Sequence, residues 1–93
     1  MHAPADIRRK QLAYRAAHRG CREADAIFST FSALHLPELD EAELEIFAAL
    51  LDVPDPVIFD WLVGDVPVPR EHNTRVFERL KTLCERKHPD WNA

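Results

Sequence analysis

Glycine, cysteine and β-branched runs are scarce in this 93-residue chain, and each shortage removes a class of protein. Gly20 and Gly64 are the only glycines, so no glycine-rich loop can cradle a phosphate and no dinucleotide fingerprint can be written onto the sequence. Cys21 and Cys84 are the only cysteines, far apart and without the paired spacings of a disulfide framework. No segment alternates apolar and polar residues for long enough to predict a strand. No apolar run approaches the ~20 residues of a membrane span. The nucleophile-elbow and zinc-protease motifs are missing, and Ser29 and Ser32 stand without any nearby hint of an oxyanion hole, so catalytic residues are not expected. Neither repeats nor low-complexity segments occur. Asp6, Arg8, Arg9 and Lys10 near the start, with no apolar stretch, argue against a signal peptide, and with only a few residues before the first predicted helix a mitochondrial presequence is expected to be absent or already removed. A reduced, cytoplasmic setting is therefore expected.

Basic residues are missing from a long stretch. Residues 23–65 hold eleven Asp/Glu and no Lys or Arg, a local charge of −11, whereas residues 1–22 carry +5 and residues 66–93 carry +2, for a net −4. Phosphate affinity needs a net basic surface, so a general nucleic-acid binder is excluded. The plainer reading of the acid-only stretch is a solvated face built from Glu38, Glu41, Glu45, Asp52, Asp60 and Asp65. Mimicry of nucleic acid or docking of a basic partner is the alternative.

What the chain does have is helical periodicity. Hydrophobic residues make up 46%, enough to fold. The first helix is predicted over about Ile7–Arg19, between an Asp6 cap and Gly20 as the left-handed residue after its end, with Leu12, Ala13, Ala16 and Ala17 inward. The second covers about Cys21–Leu34, with Ala24, Ile27, Phe28, Phe31 and Leu34 on one face, and Pro37 blocks its continuation. Asp40 and Glu43 form a capping box and Leu39 and Leu44 a hydrophobic staple at the start of the third, whose stripe is Leu44, Phe47, Ala48 and Leu51. A short fourth helix has Asp55 as cap, Pro56 as its first residue and Gly64 beyond its end. The fifth spans about Arg70–Lys87 with Val76, Phe77, Leu80, Leu83 and Cys84 as its seam, and Glu71/Arg75 and Glu78/Lys81 as surface pairs. The aromatics at helical spacing read as core. Trp91 reads as an exposed or loosely docked tail residue. Short connections give an all-α, compact five-helix bundle, a single helical domain over residues 1–93 with its core at about 7–87.

Three features ask for chemistry. His18, Cys21, Cys84 and His88 have zinc-ligand spacing if two helix ends meet, but apolar cysteines and histidines in last turns explain them as well, so no metal is expected. Arg8, Arg9 and Lys10 crowd a first turn whose dipole disfavours cations, a broken local rule that points to a binding surface. Finally, in Arg19-Gly20-Cys21-Arg22-Glu23-Ala24-Asp25 a helix-breaking glycine sits between two arginines and is followed by two acids. Each residue has a local structural reason, yet the turn would also present a rigid polar surface to a protein partner.

These residues carry a resemblance. Arg8-Arg9-Lys10, Tyr14-Arg15 and His18-Arg19-Gly20 through Glu23 and Asp25 resemble the SdhE family of succinate dehydrogenase assembly factors, whose Arg-Gly-x-x-Glu hallmark is met by Arg19, Gly20 and Glu23. Phe31, Glu43, Phe47, Leu50-Leu51-Asp52, Asp60-Trp61 and Gly64 extend the likeness over about residues 8–86. The resemblance implies a chaperone-like factor, not itself an enzyme, that promotes self-catalysed covalent attachment of FAD to the flavoprotein subunit of succinate dehydrogenase, or of fumarate reductase, without stably binding FAD. It implies partner contacts by Arg19, Gly20, Glu23 and Asp25, with Arg8, Arg9, Tyr14 and Arg15 around them, by a chain that is monomeric when free. In that picture Arg19 reaches a partner carboxylate or cofactor phosphate. An antitoxin-like binding module and an FAD carrier are the rival readings.

Overall fold

The computed structural model describes residues 5–64 and 66–91, with side chains from Asp6 to Glu85. Helix α1 covers Ala5–Ala17, α2 Arg22–His35, α3 Glu41–Leu51, α4 Asp55–Leu62 and α5 Arg75–Trp91, and no strand occurs among the described residues. The expected all-α, five-helix class is therefore what the chain adopts. α1 packs on α2 and α3, while α5 lies against α2, α3 and α4. The radius of gyration, 12.8 Å, is near the ~12 Å of a compact chain of this length.

The capping box forms as its residues predict. Asp40 accepts from the Glu43 backbone at 2.8 Å, and Glu43 accepts from the Asp40 backbone at 3.2 Å. Leu39 and Leu44 are both buried, as a staple requires. Asp40→Ala should cost about 1 kcal/mol, read as a lower urea midpoint at unchanged slope; an unchanged midpoint would mean that the box contributes nothing.

Several boundaries differ from the predicted ones, each for a local reason. α1 is shifted two residues toward the N-terminus, so Asp6 lies in its first turn and does not cap it. Pro37 does end α2, through a single 3-10 turn over Leu36–Glu38. The cap of α4 is Pro54, and Asp55 is the first helical residue with Pro56 second. α5 starts at Arg75: Arg70–His72 form a separate 3-10 turn, and the Thr74 hydroxyl accepts from the Phe77 backbone at 3.2 Å. Thr74 thus supplies a better start than Arg70, and Glu71 and Arg75 no longer share one helix. Gly64 is needed for close approach, since a Cβ there would stand 2.8 Å from the Asp60 carbonyl oxygen.

The core is the one the periodicity predicts. Phe28, Phe31, Phe47 and Phe77 are buried, with Phe47 at 5.1 Å from Phe31 and 6.1 Å from Phe28 between ring centroids. Trp61 meets Phe77 edge-on at 6.4 Å. Phe59 is only partly buried. Leu34 is a correction: it is 51% exposed and does not belong to the apolar face of α2. Trp91 and His88 lie outside the described side chains.

Candidate functional site

The turn between α1 and α2 is dictated by one residue. Gly20 has φ +95°, the only left-handed backbone among the described residues. Nothing lies within 4 Å of where its Cβ would sit, so glycine is required by backbone conformation and not by crowding. An L-residue there costs about 1–2 kcal/mol.

Arg19, just before it, points into the protein. Its side chain is 7% exposed. Nε donates to Asp55 Oδ1 at 2.7 Å, Nη1 to the Leu51 carbonyl at 2.9 Å and Nη2 to the Val53 carbonyl at 2.6 Å. The guanidinium carbon lies 4.5 Å above the Phe28 ring centroid. Three of the five guanidinium N–H groups and one face are thus engaged inside the chain. The expectation that Arg19 reaches a partner carboxylate or cofactor phosphate is corrected: it braces the turn against the segment joining α3 to α4.

Asp25 is the second brace. Its Oδ1 accepts from the Arg19 backbone N–H at 2.6 Å, while its own N–H donates to the Cys21 carbonyl at 2.8 Å. Glu23, in contrast, is exposed. Its carboxyl is held below its ordinary pKa, first by a hydrogen bond from its own backbone N–H and then by the Cys21 thiol, whose Sγ lies 3.2 Å away. The turn therefore presents an ionised carboxylate to solvent, beside the exposed Arg22.

Tyr14 and Arg15 flank a shallow groove of about 410 Å³ between the C-terminal half of α1 and the α3–α4 segment. Tyr14 is 66% exposed and stacks on His18 at 4.0 Å. The His18 Nδ1 sits 2.7 Å from the Tyr14 carbonyl oxygen. Arg15 pairs with Asp52 at 2.5 Å. The sequence reading did not assign His18, Asp52 and Asp55 to this site.

Arg8 and Arg9 are not brought to the turn. They lie at the other end of α1, roughly 16 Å away at 1.5 Å per residue. Arg8 forms a bidentate pair with Glu45, both contacts at 3.0 Å. Arg9 donates to the Leu39 carbonyl at 2.6 Å and the Leu36 carbonyl at 3.2 Å. Arg8 and Arg9, two of the three cations that break the dipole rule, thus have internal partners, and for these two the inference of a binding surface from that violation is corrected. So is the reading of the acid-only stretch as merely solvated: Asp25, Glu45, Asp52 and Asp55 all serve residues of the basic segment.

Other places carry less. A larger groove of about 550 Å³ runs between the end of α2 and α5, past Leu34, His35, Arg75 and Arg79, and no motif residue lines it. The buried Ser32 hydroxyl has no hydrogen-bond partner among the described residues. Burial, and then the Glu85 charge, push the Cys84 thiol up. Among the described residues, no three His, Cys, Asp or Glu side chains gather as metal ligands, and no helix is long and apolar enough to cross a membrane.

Comparison with known proteins converges on one family. The family model described as "Flavinator of succinate dehydrogenase" matches residues 10–84. Relatives include a mitochondrial succinate dehydrogenase assembly factor 2 of Dictyostelium discoideum, 35% identical over 83% of this chain and 55% of the relative. The FAD assembly factor SdhE of Acetobacter pasteurianus is 36% identical over 78% of this chain and 67% of its own length. An assembly factor 2 of Yarrowia lipolytica is 35% identical over 88% and 59%. The chain thus spans between about half and two thirds of the length of these relatives. The matched region contains the glycine turn, both its braces and the α3–α4 segment that anchors them, and the chain belongs to the family of succinate dehydrogenase flavinators.

Proposed function

We propose that this chain promotes covalent attachment of FAD to the flavoprotein subunit of succinate dehydrogenase, and of fumarate reductase where that enzyme is present, by docking through the Gly20 turn. The observation that carries the reading is the family match over residues 10–84, which includes a turn that is braced from behind and charged in front. Gly20 and Glu23 form the face toward the partner, with Tyr14 and Arg15 beside them; Arg19 and Asp25 hold that face in shape. The chain works as a monomer in the cytoplasm and holds no FAD of its own. The bond between the flavin 8α-methyl group and a partner histidine is made by the partner and its flavin, so the chain is not an enzyme. Its contribution is positional: fixing a near-attack geometry lowers a barrier by several kcal/mol with no new covalent chemistry.

The test is to express the flavoprotein subunit with and without this chain, denature it, and measure the flavin fluorescence that stays with the polypeptide. The expected result is a clear gain with the wild-type chain and little or none with Gly20→Glu, at a temperature where both remain folded. Equal fluorescence with and without the chain overturns the function, and full activity of folded Gly20→Glu overturns the docking face. A toxin co-purifying in place of a flavoprotein would favour the antitoxin-like reading.

A further inference from the structure

Asp55 lies outside the Arg-Gly-x-x-Glu motif, yet its carboxylate is aimed at Arg19, 36 positions earlier in the chain. It stands at the first position of α4 between Pro54 and Pro56, and the cap residue before it, a proline, offers no side-chain capping bond. The two prolines fix their own φ and stiffen the backbone on either side, so the carboxylate is offered from a firm support. Its contact falls on Nε of Arg19, which leaves both terminal nitrogens for the carbonyls of Leu51 and Val53. A guanidinium held by three N–H groups and one face has a single orientation. The next residue is Gly20, whose backbone is intrinsically permissive, so order in the turn must be imposed from its flanks. One flank is pinned by Asp25 on the Arg19 backbone. The same flank is pinned a second time by Asp55 on the Arg19 side chain.

We propose that Asp55 is a positioning residue for the docking turn, acting through the Arg19 guanidinium. The inference rests on the proposed function and adds to it a residue that works from behind the face. Without the carboxylate, Arg19 keeps two carbonyl partners but loses its counter-charge in a mostly buried place. The cation then swings toward water and takes the turn with it.

The experiment uses the full chain as wild type, Asp55→Asn, Asp55→Glu, Arg19→Lys and the double variant Arg19→Lys/Asp55→Asn. Backbone amide order parameters are measured by NMR, and the chain is titrated into flavinylation of the apo flavoprotein subunit. Rigid amides give about 0.85 and flexible ones fall below about 0.6. Asp55→Asn should take Gly20, Cys21 and Arg22 from the first regime to the second while α5 stays rigid. The chain concentration for half-maximal flavinylation should rise at least about tenfold. Asp55→Glu should recover most of that loss, and the double variant should be no worse than the poorer single one, as expected of residues acting through one contact. Leu80→Val, a core change on α5, should alter neither readout. A rigid turn in Asp55→Asn, a loosened turn with unchanged titration, or additive losses in the double variant would each overturn the proposal. If the wild-type chain produces no flavinylation at all, the functional reading fails, and the order parameters still decide whether Asp55 sets the turn.

Discussion

Replacing Arg19 by alanine is expected to destabilise the fold by about 3 kcal/mol, far more than the loss of any arginine on α1. Breaking a buried pair by removing one partner costs roughly 3–5 kcal/mol, because the remaining charge is left without compensation. The low end applies here, since Asp55 keeps 19% of its side chain exposed. The carbonyls of Leu51 and Val53 also lose their donors. Arg15→Ala is the comparison. Its ion pair with Asp52 is 42% and 73% exposed, and such surface pairs contribute about 0–1 kcal/mol. Urea unfolding followed by far-ultraviolet circular dichroism should separate the two variants. Similar midpoints would show that the buried geometry around Arg19 does not stabilise the fold.

Phe47→Ala should be as damaging or worse, at about 3–5 kcal/mol. Phe47 is fully buried and is the ring that α3 inserts against both Phe28 and Phe31 of α2. Its truncation removes apolar burial and leaves a cavity whose other walls are rigid rings. A fold of this size has a total stability of roughly 5–14 kcal/mol, so a large share is at stake. The melting temperature should fall by about 12–40 °C, at 4–8 °C per kcal/mol for a small domain. A shift below about 5 °C would mean that the neighbours collapse into the space and that the aromatic cluster is not the keystone of the α2–α3 contact.

Both residues show what could be read in advance. Phe47 was legible because core membership follows local spacing, and spacing survives folding. The same holds for the Asp40–Glu43 box and for Gly20, where one backbone angle selects one amino acid. The start of α5 was misread because Arg70–His72 does begin to turn, and only the competition from Thr74 moves the helix start to Arg75. The role of Arg19 was hidden for a different reason. A motif arginine beside a glycine looks exposed until something distant claims it, and Asp55 seemed occupied as a cap. A signal was present all the same. Arg8 and Arg15 are seven apart, as are Glu45 and Asp52, and the structure pairs them at a constant separation of 37. Matching intervals of opposite charge on two helices are what parallel neighbours would show, and α1 and α3 do run parallel along that ladder.

That ladder makes α1 a different kind of helix from the rest. Among the described side chains of α1 only Leu12 and Ala16 are fully buried; Arg8–Glu45 and Arg15–Asp52 tie the helix to α3 and its C-cap, while Arg19, just beyond the end of α1, is tied to Asp55 at the start of α4. The first two are wet, and salt weakens exposed pairs, whereas the third is dry. Segments with little apolar burial open at lower free energy than the core. α1 therefore behaves as a clasp with unequal fastenings: rising ionic strength loosens the Arg8 and Arg15 pairs, while Arg19 stays fastened beside the glycine turn. The brace behind the glycine turn is thus the fastening that salt reaches last.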